Sequence, residues 1–115
     1  METEEEKKRI IDELIRNFDL KFFRTLGEPG RLEILKFLIQ YGRSDVGTIS
    51  EAMPQDRSVV SRHLQLMHEA GILTSEKETR HVFYSVNGQH FIEKLEGITA
   101  LTKQCISQCC PSCCK

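Results

Sequence analysis

The chain has 115 residues, room for one domain of ordinary size and none for a separate catalytic domain. Sixteen Lys and Arg against seventeen Asp and Glu leave a formal charge of -1, so the totals do not point to a strongly basic nucleic-acid binder and leave a locally basic one open. The 39% of hydrophobic and 29% of charged residues are a globular composition and exclude a disordered tail.

A domain of this size buries roughly 65% of its unfolded surface and gains by burying more against a second copy, so a homodimer is expected. Met1 to Arg9 is nearly all charge, and the longest apolar runs, such as Phe37-Leu38-Ile39 and Val82-Phe83-Tyr84, are three residues. Neither a signal peptide nor a membrane span is expected, and a cytoplasmic location follows. All five cysteines lie between Cys105 and Cys114. In a reducing compartment such a cluster is more often a metal site or redox sensor than a disulfide framework.

Thr3 with Glu6 reads as a capping box opening a helix with Ile10, Ile11, Leu14, Ile15 and Phe18 on one stripe and Glu4–Lys8 and Glu5–Arg9 pairs outside. A short helix with Phe22, Phe23 and Leu26 ends at Gly27. Pro29 starts a third, for which Leu32, Leu35, Leu38 and Ile39 are the expected buried stripe. Gly42 ends it, Ser44 or Asp45 caps a helix over Val46 to Met53 with Ile49, Ala52 and Met53 inward, and Pro54-Gln55-Asp56 forms a three-residue turn. Asp56 and Gly71 then bracket a fifth helix, Arg57 to Ala70, with Val60, Leu64 and Met67 on one face. Beyond Gly71 the period becomes 2. Ile72 to Lys77 pairs with the strand holding Val82, Tyr84 and Val86, with Glu78 and Thr79 near the tip. After Asn87-Gly88 a last helix carries Phe91, Leu95, Ile98, Leu101 and Cys105 as one seam.

The fold class is therefore mainly α with a small β-hairpin, arranged as a winged helix-turn-helix. Residues 1–104 form the DNA-binding and dimerisation domain, and 105–115 a Cys-rich sensor tail. With Val60, Leu64 and Met67 inward, Ser58, Ser61, Arg62 and Gln65 share the outward face, as a helix entering the major groove requires. An ordinary solvated helix face accounts for the same residues about equally well.

Arg57-Ser58-Val59-Val60-Ser61-Arg62-His63-Leu64, followed by His68 to Leu73, resembles the recognition helix of the ArsR/SmtB family of bacterial metal-responsive repressors. Phe22 to Leu35 and Val82-Phe83-Tyr84 resemble its upstream helix pair and second wing strand, so the likeness covers Phe22 to Val86. It implies a dimer, joined through its first and last helices, on double-stranded operator DNA contacted by Ser58, Ser61, Arg62 and His63 with Arg57 and Gln65 beside them. His63 is equally suited to bridging a backbone carbonyl. Arg80 matches the wing arginine that reaches phosphate or a narrow minor groove. Thr79 stands where many members have Gly, which alters the tip. Residues 54–86 hold four basic and four acidic side chains, so tight binding calls for both subunits.

Two sensor sites common in the family have no counterpart: Ser44 to Ile49 carries no thiol, and His90, Glu93 and Glu96 lack the paired spacing. Cys105, Cys109, Cys110, Cys113 and Cys114 remain as metal ligands. Cys105 and Cys109 share a helix face, and Pro111 ends the helix so that later thiols can fold back. Three thiolates suit trivalent arsenic or antimony, and four suit zinc or cadmium. Arsenite ranks first as inducer, antimonite next, then cadmium, mercury, monovalent copper or zinc. A thiol redox sensor on the same fold and a cytosolic metal-buffering protein are the alternatives. No phosphate loop, nucleophile elbow or acid-base constellation suggests an enzyme.

Overall fold

The computed structural model describes residues 3–108, and the chain divides into two units: Leu20–His90, and the residues up to Asp19 together with those from Phe91 onward. The elements in order are α1 (Glu4–Arg16), α2 (Leu20–Leu26), α3 (Pro29–Tyr41), β1 (Ser44–Asp45), α4 (Val46–Glu51), α5 (Arg57–Glu69), β2 (Leu73–Glu78), β3 (His81–Val86) and α6 (Gly88–Gln108).

In the Leu20–His90 unit the core is built from Phe22 of α2, Ile34 and Leu38 of α3, Ile49 of α4, Val60, Leu64 and Met67 of α5, and Ile72, Leu73 and Tyr84 of the hairpin. Each such side chain contributes about 1.5–3 kcal/mol by leaving water. α5 ends in a Schellman motif. Ile72 N–H donates to Met67 O at 2.9 Å and Gly71 N–H to His68 O at 3.0 Å, with Gly71 at φ 81°. Any side chain at Gly71 would also meet His90 Nε2, 2.7 Å from where its Cβ would stand. The chain therefore turns sharply from α5 into β2 and plants the hairpin beside that helix.

The sheet has order β1-β3-β2, antiparallel throughout, with Leu73 opposite Val86 and Glu78 opposite His81, leaving a two-residue tip at Thr79-Arg80. Thr79 has φ 53°, a left-handed backbone that a β-branched residue rarely adopts. In the other unit the capping box of α1 forms as its spacing predicts: Glu6 N–H donates to Thr3 Oγ1 and Thr3 N–H to Glu6 Oε2. Asn17 approaches Gly97 of α6, where a Cβ would lie 3.2 Å from Asn17 Oδ1, and Lys94 Nζ lies 3.2 Å from Asp19.

Several local expectations are corrected. The buried face of α3 is Gly30, Ile34 and Leu38, while Leu32 and Ile39 are 48% and 68% exposed. The apolar residues of α3 cover more than half of its circumference, so periodicity could not choose its inner face. α4 stops at Glu51, leaving Ala52 exposed, and the link to α5 is five residues, 52–56, not three. Asp56 occupies the N-cap of α5 without a capping side-chain bond, whereas Asp45 caps α4 through Thr48 N–H. The outer pair on α1 is Glu4 with Lys7 at 4.0 Å, three residues apart instead of four. β1, two residues long, adds a third strand that no alternation could announce.

Candidate nucleic-acid interface

α5 separates into two faces as its spacing predicts. Val60, Leu64 and Met67 are sealed, and Arg57, Ser58, Arg62 and Gln65 are exposed, with Ser61 half-buried between them. The exposed set offers guanidinium, amide and hydroxyl groups over two turns, the donor and acceptor types that base edges and phosphates take up. Arg57 lies back toward α4. Its Nη1 lies near Gly47, where a Cβ would meet it at an ordinary contact distance of 3.6 Å with the Asp45 carboxylate alongside.

His63 is placed differently from its neighbours. Its side chain is only 13% exposed, Nδ1 accepts from Arg31 Nε at 3.1 Å, and Nε2 lies 3.4 Å from Glu28 Oε2. The partners are side chains of α3 and of the residue that caps it, not the backbone carbonyl that the sequence also allowed. The Gly30 amide above all, then the Arg31 amide and the charge of Arg31, hold the Glu28 carboxyl below the ordinary carboxylate range, with partial desolvation working the other way.

Arg80 is exposed at the wing tip. Behind it Arg43, in the loop before β1, reaches across the sheet to Glu76 at 3.0 Å and Glu78 at 2.7 Å, with its guanidinium 4.0 Å above the Phe83 ring. Arg43 thus offsets two acidic side chains of the wing, and its stacking on Phe83 fixes it there. Nothing in the sequence singled it out, because its partners are more than thirty residues away. At the base of the wing the Asp45 carboxyl is held below its usual range, first by the Thr48 hydroxyl bond and also by the Thr48 amide and His81, whose Nδ1 is 3.4 Å away; desolvation opposes them.

Of the sensor cysteines, Cys105 lies half-buried near the end of α6, a free thiol; Cys109, Cys110, Cys113 and Cys114 lie outside the described residues. Among the described residues no three His, Cys, Asp or Glu side chains are gathered as metal ligands, and no helix is long and apolar enough to cross a membrane.

A helix pair followed by a hairpin, with one polar face outward, matches known proteins in both sequence and shape. Residues 28–75 fit the model of the bacterial regulatory protein arsR family. The arsenical resistance operon repressor of Bacillus subtilis is 30% identical over 94 residues, 82% of this chain and 85% of that protein. The chain belongs to the arsR family. A solved structure described as a possible transcriptional regulator for arsenical resistance is 27% identical, with a TM-score of 0.57 over 75% of this chain and 83% of its own. A homodimeric winged helix-turn-helix DNA-binding domain from Mycobacterium bovis aligns over 90% of this chain and 91% of its own, with TM-score 0.58 and 19% identity, a likeness of fold. The arsR-family protein described here is accordingly a winged helix-turn-helix regulator of transcription, and its relatives are regulators, not enzymes.

Proposed function

We propose that this arsR-family protein is a homodimeric repressor that holds operator DNA through α5 and the wing and releases it when its C-terminal cysteines take up arsenite or antimonite. The two-faced character of α5 carries the reading: the buried side anchors the helix and the outward side presents Arg57, Ser58, Ser61, Arg62 and Gln65, with Arg80 at the wing tip. Ile11, Ile15 and Phe18 of the N-terminal region and Ile92 and Leu95 of α6 are exposed apolar side chains, as helices that meet a second copy require. The inducer class rests on the named role of the Bacillus subtilis relative together with five thiols in ten residues, Cys105 to Cys114. Cys105, Cys109, Cys110, Cys113 and Cys114 supply three thiolates for a pyramidal metalloid, with cadmium, mercury, monovalent copper or zinc as weaker fits. Residues 105–115 thus act as the sensor and 1–104 as the reader and dimerisation domain. A coupling of about 1–3 kcal/mol between the two relieves repression about 5- to 150-fold.

The test is fluorescence anisotropy of the reduced protein on the DNA upstream of its own gene, titrated with arsenite, antimonite, cadmium, zinc and peroxide. Arsenite or antimonite should release the DNA. Cys109→Ser with Cys110→Ser should keep the binding and lose the response, and Arg62→Ala should weaken binding about 5- to 150-fold. Release by peroxide alone would assign the cysteines to redox sensing. Absence of sequence-specific binding would leave metal buffering.

A further inference from the structure

We infer that His63 serves operator recognition as a positioning residue: clamped between Arg31 and Glu28, it sets the rotation of α5 about its axis, and so the placement of Ser58, Arg62 and Gln65. The inference rests on the reading of α5 as the DNA-facing helix. Because Arg31 Nε–H donates to Nδ1, that nitrogen carries a lone pair, and the ring proton of the neutral imidazole belongs on Nε2, facing the Glu28 carboxylate. Arg31 also donates from Nη1 to Thr25 O at 3.2 Å, and its backbone N–H donates to Glu28 Oε2 at 3.2 Å. One continuous set of directed bonds therefore ties the middle of α5 to the end of α2 and the start of α3.

Gly30 makes the clamp sterically feasible. A Cβ there would stand 2.9 Å from Glu28 Oε2, 2.9 Å from Gln55 Nε2 and 3.2 Å from His63 Nε2, so the carboxylate, the amide of the turn before α5 and the imidazole converge on the one position without a side chain. The apolar contacts of Val60, Leu64 and Met67 seat α5 but have no preferred direction, and a helix held only by such contacts can shift its rotation by rotamer adjustment. Hydrogen bonds to a planar ring are directional. Bidentate reading of a base edge needs the reading side chain held to within about 0.5 Å, and His63 directly follows Arg62 in the same helix.

The experiment compares affinity for a duplex that the wild-type chain selects from a random pool with affinity for a scrambled duplex at one salt concentration, alongside thermal melting. His63→Ala is expected to lower the selected-to-scrambled ratio about 5- to 100-fold while leaving the phosphate-driven scrambled binding unchanged. His63→Asn, whose Oδ1 stands where Nδ1 does and accepts from Arg31, should restore most of that ratio. The Cβ of Gly30→Ala would press on the side-chain ends of Glu28 and Gln55 and on His63 Nε2, and touches no backbone, so the variant disturbs the clamp itself and should lower the ratio as well. Equal loss on both duplexes, no loss in His63→Ala, or an Asn variant no better than Ala would overturn the assignment. If the wild-type chain itself selects no duplex, the DNA-binding reading fails, an outcome distinct from all of these.

Discussion

The two units of this chain differ in how much of a fully buried core each builds. All of the largest fully buried side chains, Phe22, Ile34, Ile49, Val60, Leu64, Met67, Ile72 and Leu73, belong to Leu20–His90. Among the described residues of the other unit only Ile10 falls in the buried core, while Ile15 is 61% and Leu95 49% exposed. Helices, turn and hairpin surround the first core from several directions. In the second unit α1 and α6 leave much of their apolar surface in water. The difference teaches where each kind of interaction should be sought. A unit with a buried core of its own holds a polar helix face in place, although Leu20, Leu32, Ile39 and Tyr41 of that unit stay exposed, and a pair of helices with almost no buried core calls for apolar surface from elsewhere, which the proposed dimer supplies.

Breaking the buried core should have the largest effect. Leu64→Ala leaves a cavity at the centre of the reader unit and is expected to cost about 2–5 kcal/mol in urea unfolding, a large part of a small domain's stability. A loss under about 1 kcal/mol would mean that this core is looser than its burial implies. The unit with little core should respond in association and much less in folding. Ile15→Glu with Leu95→Glu is expected to convert dimer to monomer in sedimentation equilibrium, and a double variant that stays dimeric would move the interface elsewhere. The smallest effect sharpens the comparison within the reader itself. Thr79→Gly relieves the left-handed backbone at the wing tip and should stabilise the chain by about 1 kcal/mol, the strain released less the added chain entropy of glycine. A lower melting temperature would show that the Thr79 hydroxyl, which donates to Glu78 O at 2.7 Å, outweighs the strain.

Much of the reader was legible in advance because its signals are local. The spacing of Val60, Leu64 and Met67, the glycine at 71 and the alternation through Val82, Tyr84 and Val86 each specify an element by geometry that a few consecutive residues enforce, and the structure realises all three. The capping box at Thr3 and Glu6 is local in the same sense. The helix α3 shows the limit. Leu32, Ile34, Leu35, Leu38 and Ile39 spread over nearly half of its circumference, so more than one stripe satisfies the period, and only the positions of its neighbours put Ile34 and Leu38 inside. Of the outward residues on α5, Ser58, Arg62 and Gln65 lie where the period sends them, while the ring nitrogens of His63 are taken up by Arg31 and Glu28.

The sequence by itself determined the order and type of the helices and hairpin, the division of α5 into an apolar and a polar face, and the concentration of five thiols between residues 105 and 114, since each depends on neighbours within a turn or two or on composition alone. Only the tertiary structure decided which stripe of α3 is buried, that Ser44-Asp45 pairs with β3, that Arg43 bridges Glu76 and Glu78, and that His63 meets Arg31 across thirty-two residues. Those outcomes depend on pairs brought together from distant parts of the chain, and a hydrogen bond or ion pair of that kind leaves no period behind it.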